Sequence, residues 1–487
     1  MSLRLRRISS ARCMNWARFS GIRQRLIADG ETVKKMAKVE RRRLICVRTP
    51  EPAENHKFYI REMSTTFMLI IFILGYLAIA MEHPLKLNKA ASALITGVLC
   101  WTIFFLQSDS PERSGELLLH HLGNIASILF FLFGAMAIVE LIDTHSGFDL
   151  LTDLIRTKRK SMLLCFISII TFFLSAFLDN LTTAIVMTSL CTKLLQEKED
   201  RLWFAGLIVI AANAGGAWSP LGDVTTTMLW IGGQITALNI INSVFLPAVV
   251  VCIVPAFIIA LRFKGQRISA NREVICTPQE RKDGRAILFS GVGLLIFVPI
   301  FKTLTHLPPF MGMMLALGLM WVITTLLHKD KPEETREKVS VAKALQKVDS
   351  PSILFFLGIL LAVSAIESAG ILKISADFLT THLRNDYLIG ISLGLLSSIV
   401  DNVPLVSAAQ AMYDLHTYPA DHTFWSFLAL TTGAGGSTII IGSAAGVAVM
   451  GIERISFGWY LKKISWLALL GFISGIVVFL LQKAAGM

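Results

Sequence analysis

The chain is built from long apolar stretches separated by short polar segments. Ten of these stretches run for about 18 residues or more, which is the length that a helix needs to cross about 30 Å of hydrocarbon. The pattern therefore predicts an all-α polytopic membrane protein. The ten predicted spans cover about 64–81, 89–107, 125–143, 203–230, 236–261, 286–303, 309–327, 350–368, 422–450 and 463–482.

Two further apolar stretches, about 161–195 and 387–412, are each interrupted by an Asp-Asn pair, at Asp179-Asn180 and at Asp401-Asn402. A straight transmembrane helix does not carry such a break at mid-depth, because the backbone groups that it frees would need new partners. We therefore expect two re-entrant hairpins, each of which enters and leaves the membrane on the same side.

Basic residues are distributed unevenly between the two sides that this topology defines. Of the 30 Lys and Arg residues after position 62, 25 fall on one side and five on the other. Because cytoplasmic loops carry an excess of Lys and Arg, the first side is predicted to be cytoplasmic. Its segments are 82–90, 143–160, 193–202, 262–285, 328–349 and 451–463.

Three blocks of sequence occur twice, in the same order. The copies are separated by 225, 222 and 220 positions, and the predicted topology gives them opposite directions through the membrane. We therefore predict two inverted repeats, 63–262 and 286–487, each with about five spans plus one hairpin, joined by a cytoplasmic linker, 263–285. The blocks are 127–132 with 352–357; Ser175, Asp179 and Asn180 with Ser397, Asp401 and Asn402; and Ala214, Gly215, Gly216 and Gly222 with Ala434, Gly435, Gly436 and Gly442.

Four broken places are expected to meet near the midplane, which is where transporters built from inverted repeats bind their substrates. They are the two hairpin tips, 175–183 and 397–404, and the Gly-rich parts of two spans, 213–227 and 433–443. Glycine adds backbone freedom and proline removes an amide donor, so these spans are predicted to unwind. Unwound backbone exposes carbonyl oxygens, which are good ligands for a small hard cation.

Three carboxylates, those of Asp179, Asp223 and Asp401, fall at mid-membrane, where a charged Asp costs about 2.5–3.5 kcal/mol. Each could be a structural residue that caps the N-terminus of a half-helix. Asp179 and Asp401 suit that interpretation, since each precedes a returning limb. Asp223 has hydroxyl groups nearby and fits ion coordination better. Both roles are compatible in one residue.

The side chains of the four motifs favour a cation over an anion. The motifs contain no Lys or Arg for a carboxylate or phosphate, and no Cys or His for copper or zinc. Oxygen ligands suit Na⁺ or Li⁺, and a desolvated carboxylate holds either a proton or a metal ion. Na⁺ is expected at Asp179, Asn213, Asp223, Thr225 and Thr226. The full set of predicted ion- and proton-binding residues adds Asn180, Thr182, Thr183, Ser219, Ser397, Asp401, Asn402, Ser437 and Ser443.

Composition separates a basic tail from the membrane part. The chain has 487 residues, 54% hydrophobic and 16% charged, and a net charge of +12, of which residues 1–62 carry +10. The tail is interpreted as a solvated or targeting segment, or as the product of a start codon assigned too early at Met1 instead of Met63. A nucleic-acid- or lipid-binding arm is the alternative.

Other features add little chemistry. The seven cysteines form no C-x-x-C pair, and no ATP-binding loop or nucleophile–base constellation occurs. Neither an enzyme nor a bound cofactor is therefore predicted. Acids near span ends are assigned solvated roles, with a proton path as the alternative, and three histidines are candidate pH sensors. These residues are Glu140, Asp143, Glu367, His120, His121 and His145.

Two motifs are distinctive: residues 178–184 read Leu-Asp-Asn-Leu-Thr-Thr-Ala, and residues 213–230 contain Asn-Ala-Gly-Gly-Ala-Trp-Ser-Pro-Leu-Gly-Asp-Val-Thr-Thr-Thr. On these motifs the chain resembles the NhaD-type sodium/proton antiporter family, over about 64–483. The resemblance implies exchange of Na⁺ or Li⁺ for H⁺ across a bacterial inner (plasma) membrane, or across a plastid envelope if the tail is a transit peptide. It also implies a homodimer with an elevator-like moving domain. Important family positions carry over onto Asp179, Asn213, Asp223, Thr225 and Thr226, and onto Ser397, Asp401, Asn402 and Ser443.

Two other functions stay open at this point. One is a sodium-coupled symporter of di- or tricarboxylates from the same superfamily, and the other is an ion channel. The hairpin tips lack the Ser-Asn-Thr pattern of the dicarboxylate carriers, which favours the antiporter. The expected partners are the lipid bilayer, Na⁺, Li⁺ and H⁺, without nucleic acid.

Overall fold

The computed structural model describes residues 52–108, 110–149, 157, 159–267 and 278–486. The chain divides into two compact units, 1–63 and 64–487, and the membrane spans belong to the second. The predictions about the basic tail up to position 51 lie outside the described residues. So do three of the cysteines, Cys13, Cys46 and Cys276.

Helices make up nearly all regular structure in the described ranges, beside one isolated bridge between Arg159 and Arg267. The α-helices are α1 (Pro52–Ala80), α2 (Glu82–Leu85), α3 (Lys89–Leu106), α4 (Pro111–Thr144), α5 (Lys160–Ser175), α6 (Asn180–Leu194), α7 (Lys198–Ala217), α8 (Val224–Ile231), α9 (Ala237–Arg262), α10 (Pro278–Thr305), α11 (Pro309–Leu327), α12 (Glu333–Lys338), α13 (Val341–Lys347), α14 (Ser350–Ser368), α15 (Ile371–Leu383), α16 (Asp386–Leu396), α17 (Asn402–Met412), α18 (Thr423–Gly435), α19 (Ala444–Glu453), α20 (Phe457–Lys463) and α21 (Ser465–Ala484).

The predicted spans correspond to these helices. Among the described residues, seven helices are long and apolar enough to cross a membrane: α3, α4, α9, α10, α11, α14 and α21. The first predicted span is the apolar part of α1, Thr65–Ile79. The two remaining spans are broken, as the Gly-rich sequences predict. One is α7 followed by α8, and the other is α18 followed by α19.

Both hairpins are present where the Asp-Asn pairs predict them. The limbs α5 and α6 meet at 176–179, and the limbs α16 and α17 meet at 397–401. Each returning limb packs against the short helix of the opposite repeat, so that α6 contacts α19 and α17 contacts α8. The fold is therefore an all-α membrane protein with two inverted repeats and broken helices at its centre, as predicted.

The two repeats are also interlocked at the periphery. Helix α3 of the first repeat packs along α14 of the second, while α11 of the second packs on α4 of the first. The close approach of α3 and α14 depends on glycine, because a Cβ at Gly97 would lie 2.5 Å from the carbonyl oxygen of Gly358. At the far end of the same contact, the Trp101 indole donates to the Ser364 hydroxyl at 3.2 Å.

Ion pairs join segments that the charge distribution assigns to the cytoplasm. Lys160 lies 2.5 Å from Asp200, and both residues are buried. Arg262 contacts Glu199 at 2.7 Å, and Arg201 contacts Glu453 at 3.0 Å. Lys347 pairs with Glu140 at 3.0 Å. The grouping agrees with the predicted topology, and it gives Glu140 a structural partner.

Candidate ion-binding site

Each of the four broken places ends in a residue that caps the following helix. Asp179 accepts from the Thr182 amide at 2.8 Å and begins α6. Asp223 accepts from the Thr225 amide at 3.1 Å and begins α8. The corresponding caps of the second repeat are Asp401 for α17 and Ser443 for α19. The capping role expected for two of the carboxylates is thus present in all three.

The site is centred on one oxygen of Asp223. Its Oδ2 accepts hydrogen bonds from the Asn180 and Asn402 side-chain amides, each at 3.0 Å. Since Asn180 begins α6 and Asn402 begins α17, the two hairpin tips of the two repeats meet on a single carboxylate. Asp223 is 1% exposed, so this carboxylate is held away from bulk water.

Asn213 links this carboxylate to the second repeat. Its side-chain oxygen accepts from the Asn180 amide at 3.0 Å, and its own amide donates to the Ser443 hydroxyl at 3.0 Å. Helix α7 places Asn213 one turn before the break, where it is fully buried. A chain of hydrogen bonds therefore connects Asp223 with Ser443 through Asn180 and Asn213.

The other carboxylate oxygen of Asp223 has room to bind a further proton or cation. Oδ1 accepts the Thr225 backbone amide only, which leaves one lone pair, whereas Oδ2 already accepts two donors. The buried Thr225 hydroxyl lies beside this carboxylate and makes no hydrogen bond of good geometry with the described residues. A carboxylate oxygen and an uncommitted hydroxyl together suit either a proton or an alkali cation.

Neighbouring hydroxyls shape the site instead of facing it. Thr226 donates to the backbone oxygen of Asp223 at 2.8 Å, and Thr182 donates to the Asp179 carboxylate at 2.6 Å. Ser219 donates to the Ala176 carbonyl oxygen, which ties the first break to the first hairpin tip.

Ser397 and Ser437 are likewise committed to backbone oxygens, those of Thr432 and Ala434. The Thr183 hydroxyl is buried and unpartnered among the described residues. Of the fourteen predicted site residues, the set that converges on the Asp223 carboxylate is therefore small. It consists of Asn180, Asn213, Thr225, Asn402 and Ser443, with Asn213 and Ser443 acting through Asn180.

A cleft of about 610 Å³ brings the three carboxylates together. Asp179, Asp223 and Asp401 all line it, facing α4 and α14 at Phe131 and Phe356. Basic residues are absent from the lining of this cleft within the described parts of the chain. The three carboxylates predicted at mid-membrane thus line one cleft, and their depth in the membrane stays a prediction.

A second cleft, of about 560 Å³, contains a basic residue together with one of the three carboxylates. Asp401 lines it as well, together with Lys89, Glu82 and Tyr76, and the Lys89 charge acts on the Asp401 carboxylate. The four motifs contain no Lys or Arg, but the surroundings of Asp401 do, because Lys89 comes from outside the motifs, at the first position of α3.

Comparison with known proteins places this arrangement in a family. The family model described as citrate transporter (CitMHS) matches residues 67–435, which contain both hairpins and the first break. The chain belongs to this family. The NhaD-type resemblance that residues 178–184 and 213–230 carry is confirmed by the relatives.

Two relatives from Arabidopsis thaliana are named sodium/proton antiporter 1 and 2. They are 43% and 42% identical to this transporter, over 89% and 85% of this chain and 75% and 98% of their own. The Na⁺/H⁺ antiporter NhaD of Vibrio cholerae serotype O1 is 30% identical over 85% of this chain and 91% of its own.

The solved structure of the Alcanivorax borkumensis YdaH transporter is similar in fold. It has a TM-score of 0.50 and 12% identity, and the match covers 87% of this chain and 98% of that one. That transporter is described as having an unusual topology. This likeness concerns the fold alone.

Proposed function

We propose that this family member exchanges Na⁺ or Li⁺ for H⁺, with Asp223 as the carboxylate that binds the two ions alternately. The observation that supports this proposal is a buried carboxylate whose neighbours are neutral amides and hydroxyls. In addition, the relatives that cover most of the chain are named as sodium/proton antiporters.

Coupling follows from competition at one oxygen. The amides of Asn180 and Asn402 occupy Oδ2 of Asp223, so the proton and the cation compete for the remaining position at Oδ1. A bound proton removes the negative charge that attracts Na⁺, and a bound Na⁺ lowers the affinity for the proton. Each time the site moves across the membrane, it therefore carries either a proton or a cation. No enzymatic step or resident cofactor is part of this proposal.

Asp179 is proposed as a second carboxylate of the same site. It lines the cleft that contains Asp223, and its charge acts on Asp223. Asp401 also lines the second cleft, which contains Lys89, whereas Asp179 does not. Asp179 is therefore available to bind a proton or to share a cation with Asp223.

The membrane and the assembly are part of the proposal too. The excess of basic residues on one side orients the chain in an inner (plasma) membrane, with the plastid envelope as the alternative if residues 1–62 form a transit peptide. A homodimer, which the family resemblance implies, remains a prediction. Cross-linking of the purified transporter in lipid would test it.

The test uses purified full-length transporter in proteoliposomes with a preformed pH gradient. Added Na⁺ or Li⁺ is expected to dissipate the gradient, while K⁺ is not. Asp223→Asn keeps an acceptor of similar size but removes the charge, so it should abolish dissipation at normal protein levels. Asp330→Asn, which changes an exposed carboxylate after α11, is the control and should retain exchange.

The alternative of Na⁺-coupled carboxylate uptake is tested in the same liposomes. Labelled citrate or succinate that accumulates with an inward Na⁺ gradient, without any change of internal pH, would contradict the antiporter. A conductance without coupling to the pH gradient would indicate a channel. Wild-type exchange by Asp223→Asn would contradict the role of this residue.

A further inference from the structure

Lys89 lies at a helix position where the helix dipole disfavours a positive charge. It is the first residue of α3, after the cap Asn88. The N-terminus of a helix carries a partial positive charge, so a cation there is disfavoured. The Lys89 ammonium lies over the Phe355 ring at 4.6 Å and lines the smaller cleft with Asp401.

The charged groups of this cleft are few. Beside Lys89 and Asp401 its lining contains Glu82 and the phenol of Tyr76. Glu82 accepts from the Lys89 backbone amide at 3.2 Å, so it closes the turn before α3. The carboxylate that the other repeat contributes to this cleft is that of Asp401, and the Lys89 charge acts on it.

The second repeat also lacks the oxygen-bearing side chains that the first places at its break. A spacing of 220 positions relates Asp223 to Ser443, Thr225 to Ala445 and Thr226 to Gly446. The second break therefore carries one hydroxyl where the first carries a carboxylate and two hydroxyls. At the second hairpin tip, Pro404 replaces the threonine that donates to Asp179 in the first, so Asp401 has fewer donors of its own.

From these observations we propose that Lys89 is a tethered counter-ion for Asp401, which occupies the charge position of a second cation. Asp401 then needs neither Na⁺ nor a proton, and each transporter binds a single Na⁺, at the first repeat. The ammonium is fixed to α3 and cannot be released, so the second half of the site takes no part in cation exchange. This inference rests on the proposed function.

The test counts the sodium ions that bind. An ion that binds only the folded protein stabilises it in proportion to the logarithm of its concentration, once per site. The apparent Tm of the purified transporter in detergent is measured at pH 9, where protons are scarce, over a range of NaCl balanced with choline chloride. Wild-type protein should show the slope for one ion. In Lys89→Gln the unpaired Asp401 should bind a second Na⁺, so that the slope about doubles.

Three further variants keep the test decisive. Lys89→Arg retains the charge and should behave as the wild type. Lys89→Gln with Asp401→Asn removes both charges and should return the slope to the one-ion value. Lys86→Gln, an exposed lysine of the same loop, controls for a general loss of positive charge and should leave the slope unchanged.

Two results would overturn the proposal: a Lys89→Gln slope equal to that of the wild type, or a double variant whose slope stays doubled. If Lys89→Gln cannot be purified, the variant with both Lys89→Gln and Asp401→Asn decides the question. It should fold and show the slope for one ion, and failure to do so would contradict the pairing of Lys89 with Asp401. The count does not depend on transport. A wild type that binds one Na⁺ but exchanges none would overturn the proposed function and leave this inference standing.

Discussion

The two repeats share their backbone plan but differ in the chemistry that they place on it. In both, a serine of the hairpin tip donates to a carbonyl oxygen of the broken helix: Ser175 to Ala212 at 2.6 Å and Ser397 to Thr432 at 2.9 Å. In both, a glycine lets the hairpin backbone approach, since a Cβ at Gly215 would collide with the Phe172 carbonyl and one at Gly435 with the Gly394 carbonyl.

The side chains at the ends of the breaks do not follow this symmetry. The first repeat supplies Asp223, whereas the second supplies Ser443 and, through Asn402, a donor to Asp223 itself. This difference between the repeats shows that the enclosure of the site and its charge have separate sources. Both repeats build and enclose it, whereas the charge that is proposed to bind a cation comes from one of them.

The largest effect is expected from the two asparagines that donate to Asp223. Asn180 binds both Asp223 and Asn213, while Asn402 binds Asp223 alone. A hydrogen bond to a charged group contributes about 1.5–3 kcal/mol. Asn180→Leu should therefore lower kcat/KM for Na⁺ by at least about 100-fold and Asn402→Leu by about 10-fold, measured as initial exchange rates in proteoliposomes. Equal losses would show that the site treats both repeats alike.

The buried ion pair of the first repeat should affect stability next. Lys160 and Asp200 have no charged pair at the equivalent positions of the second repeat, His382 and Ala420. Removal of one partner from a buried pair costs about 3–5 kcal/mol, so Lys160→Met should lower the Tm clearly. Lys160→Met with Asp200→Leu should recover most of the loss in the same thermal unfolding measurement. A single variant as stable as the wild type would refute the prediction.

A smaller effect concerns the uncommitted hydroxyl of Thr225. Thr225→Val removes an oxygen that makes no regular hydrogen bond with the described residues, so stability without Na⁺ should hold. The apparent KM for Na⁺ should rise about tenfold, as expected for about 1.4 kcal/mol of lost ion binding. Thr227→Val is the matched control: its hydroxyl donates to the Pro220 carbonyl at 2.9 Å, so it should lose stability with little change in KM. The reverse pattern would contradict this assignment.

The last effect is a pH dependence, expected at the interface of α4 and α11, where His145 and His328 are stacked, with their Nε2 atoms 2.8 Å apart. His145 Nδ1 must donate to the Leu141 carbonyl at 2.7 Å, so its Nε2 accepts from His328. Burial, followed by the charge of Lys331, lowers the pKa of His328 to about 4, while Asp283 opposes this. Burial also lowers the pKa of His145.

The sign of this pH effect follows from proton uptake on unfolding. Below the ordinary histidine pKa of about 6.5, unfolded His328 binds a proton that the folded state excludes. Its contribution to stability is therefore present above about pH 6.5 and is lost as the pH falls towards 4. The Tm of His328→Gln should depend less on pH in that window than the wild-type Tm. His306→Gln, at an exposed histidine, should follow the wild type, and an unchanged pH profile in His328→Gln would contradict the assignment.

The sequence predicts the broken helices and hairpins because their signals are local. Glycine, proline and an Asp-Asn pair within an apolar stretch each act on the backbone at their own position. The repeat also identifies which residues correspond, so that Asn180 and Asn402 are recognised as equivalents. Their meeting on one oxygen of Asp223 is not predictable in this way, because it depends on how two distant hairpins pack.

Lys89 shows that basic residues near a site can be missed when only the motifs are searched for charge. The residue is distant in sequence from Asp401 and belongs to a segment interpreted as a cytoplasmic loop. One signal for it is available, namely a lysine at the first position of a helix, where the dipole disfavours it. His328 was not among the candidate pH sensors, because a single histidine at a span end gives no indication of its partner. The short helices α12, α13 and α20 were also not predicted, since they are too brief to show a clear apolar period, and α15 is shorter than a membrane span.

The shared acceptor has a mechanical consequence. Two amides, one from each repeat, donate to the same Asp223 oxygen, and α6 and α17 each pack on the short helix of the other repeat. If either hairpin shifted by itself, it would leave its donor without an acceptor in a dry interior. If the site crosses the membrane as proposed, the two tips and the two short helices should therefore move together as one rigid body with the bound ion.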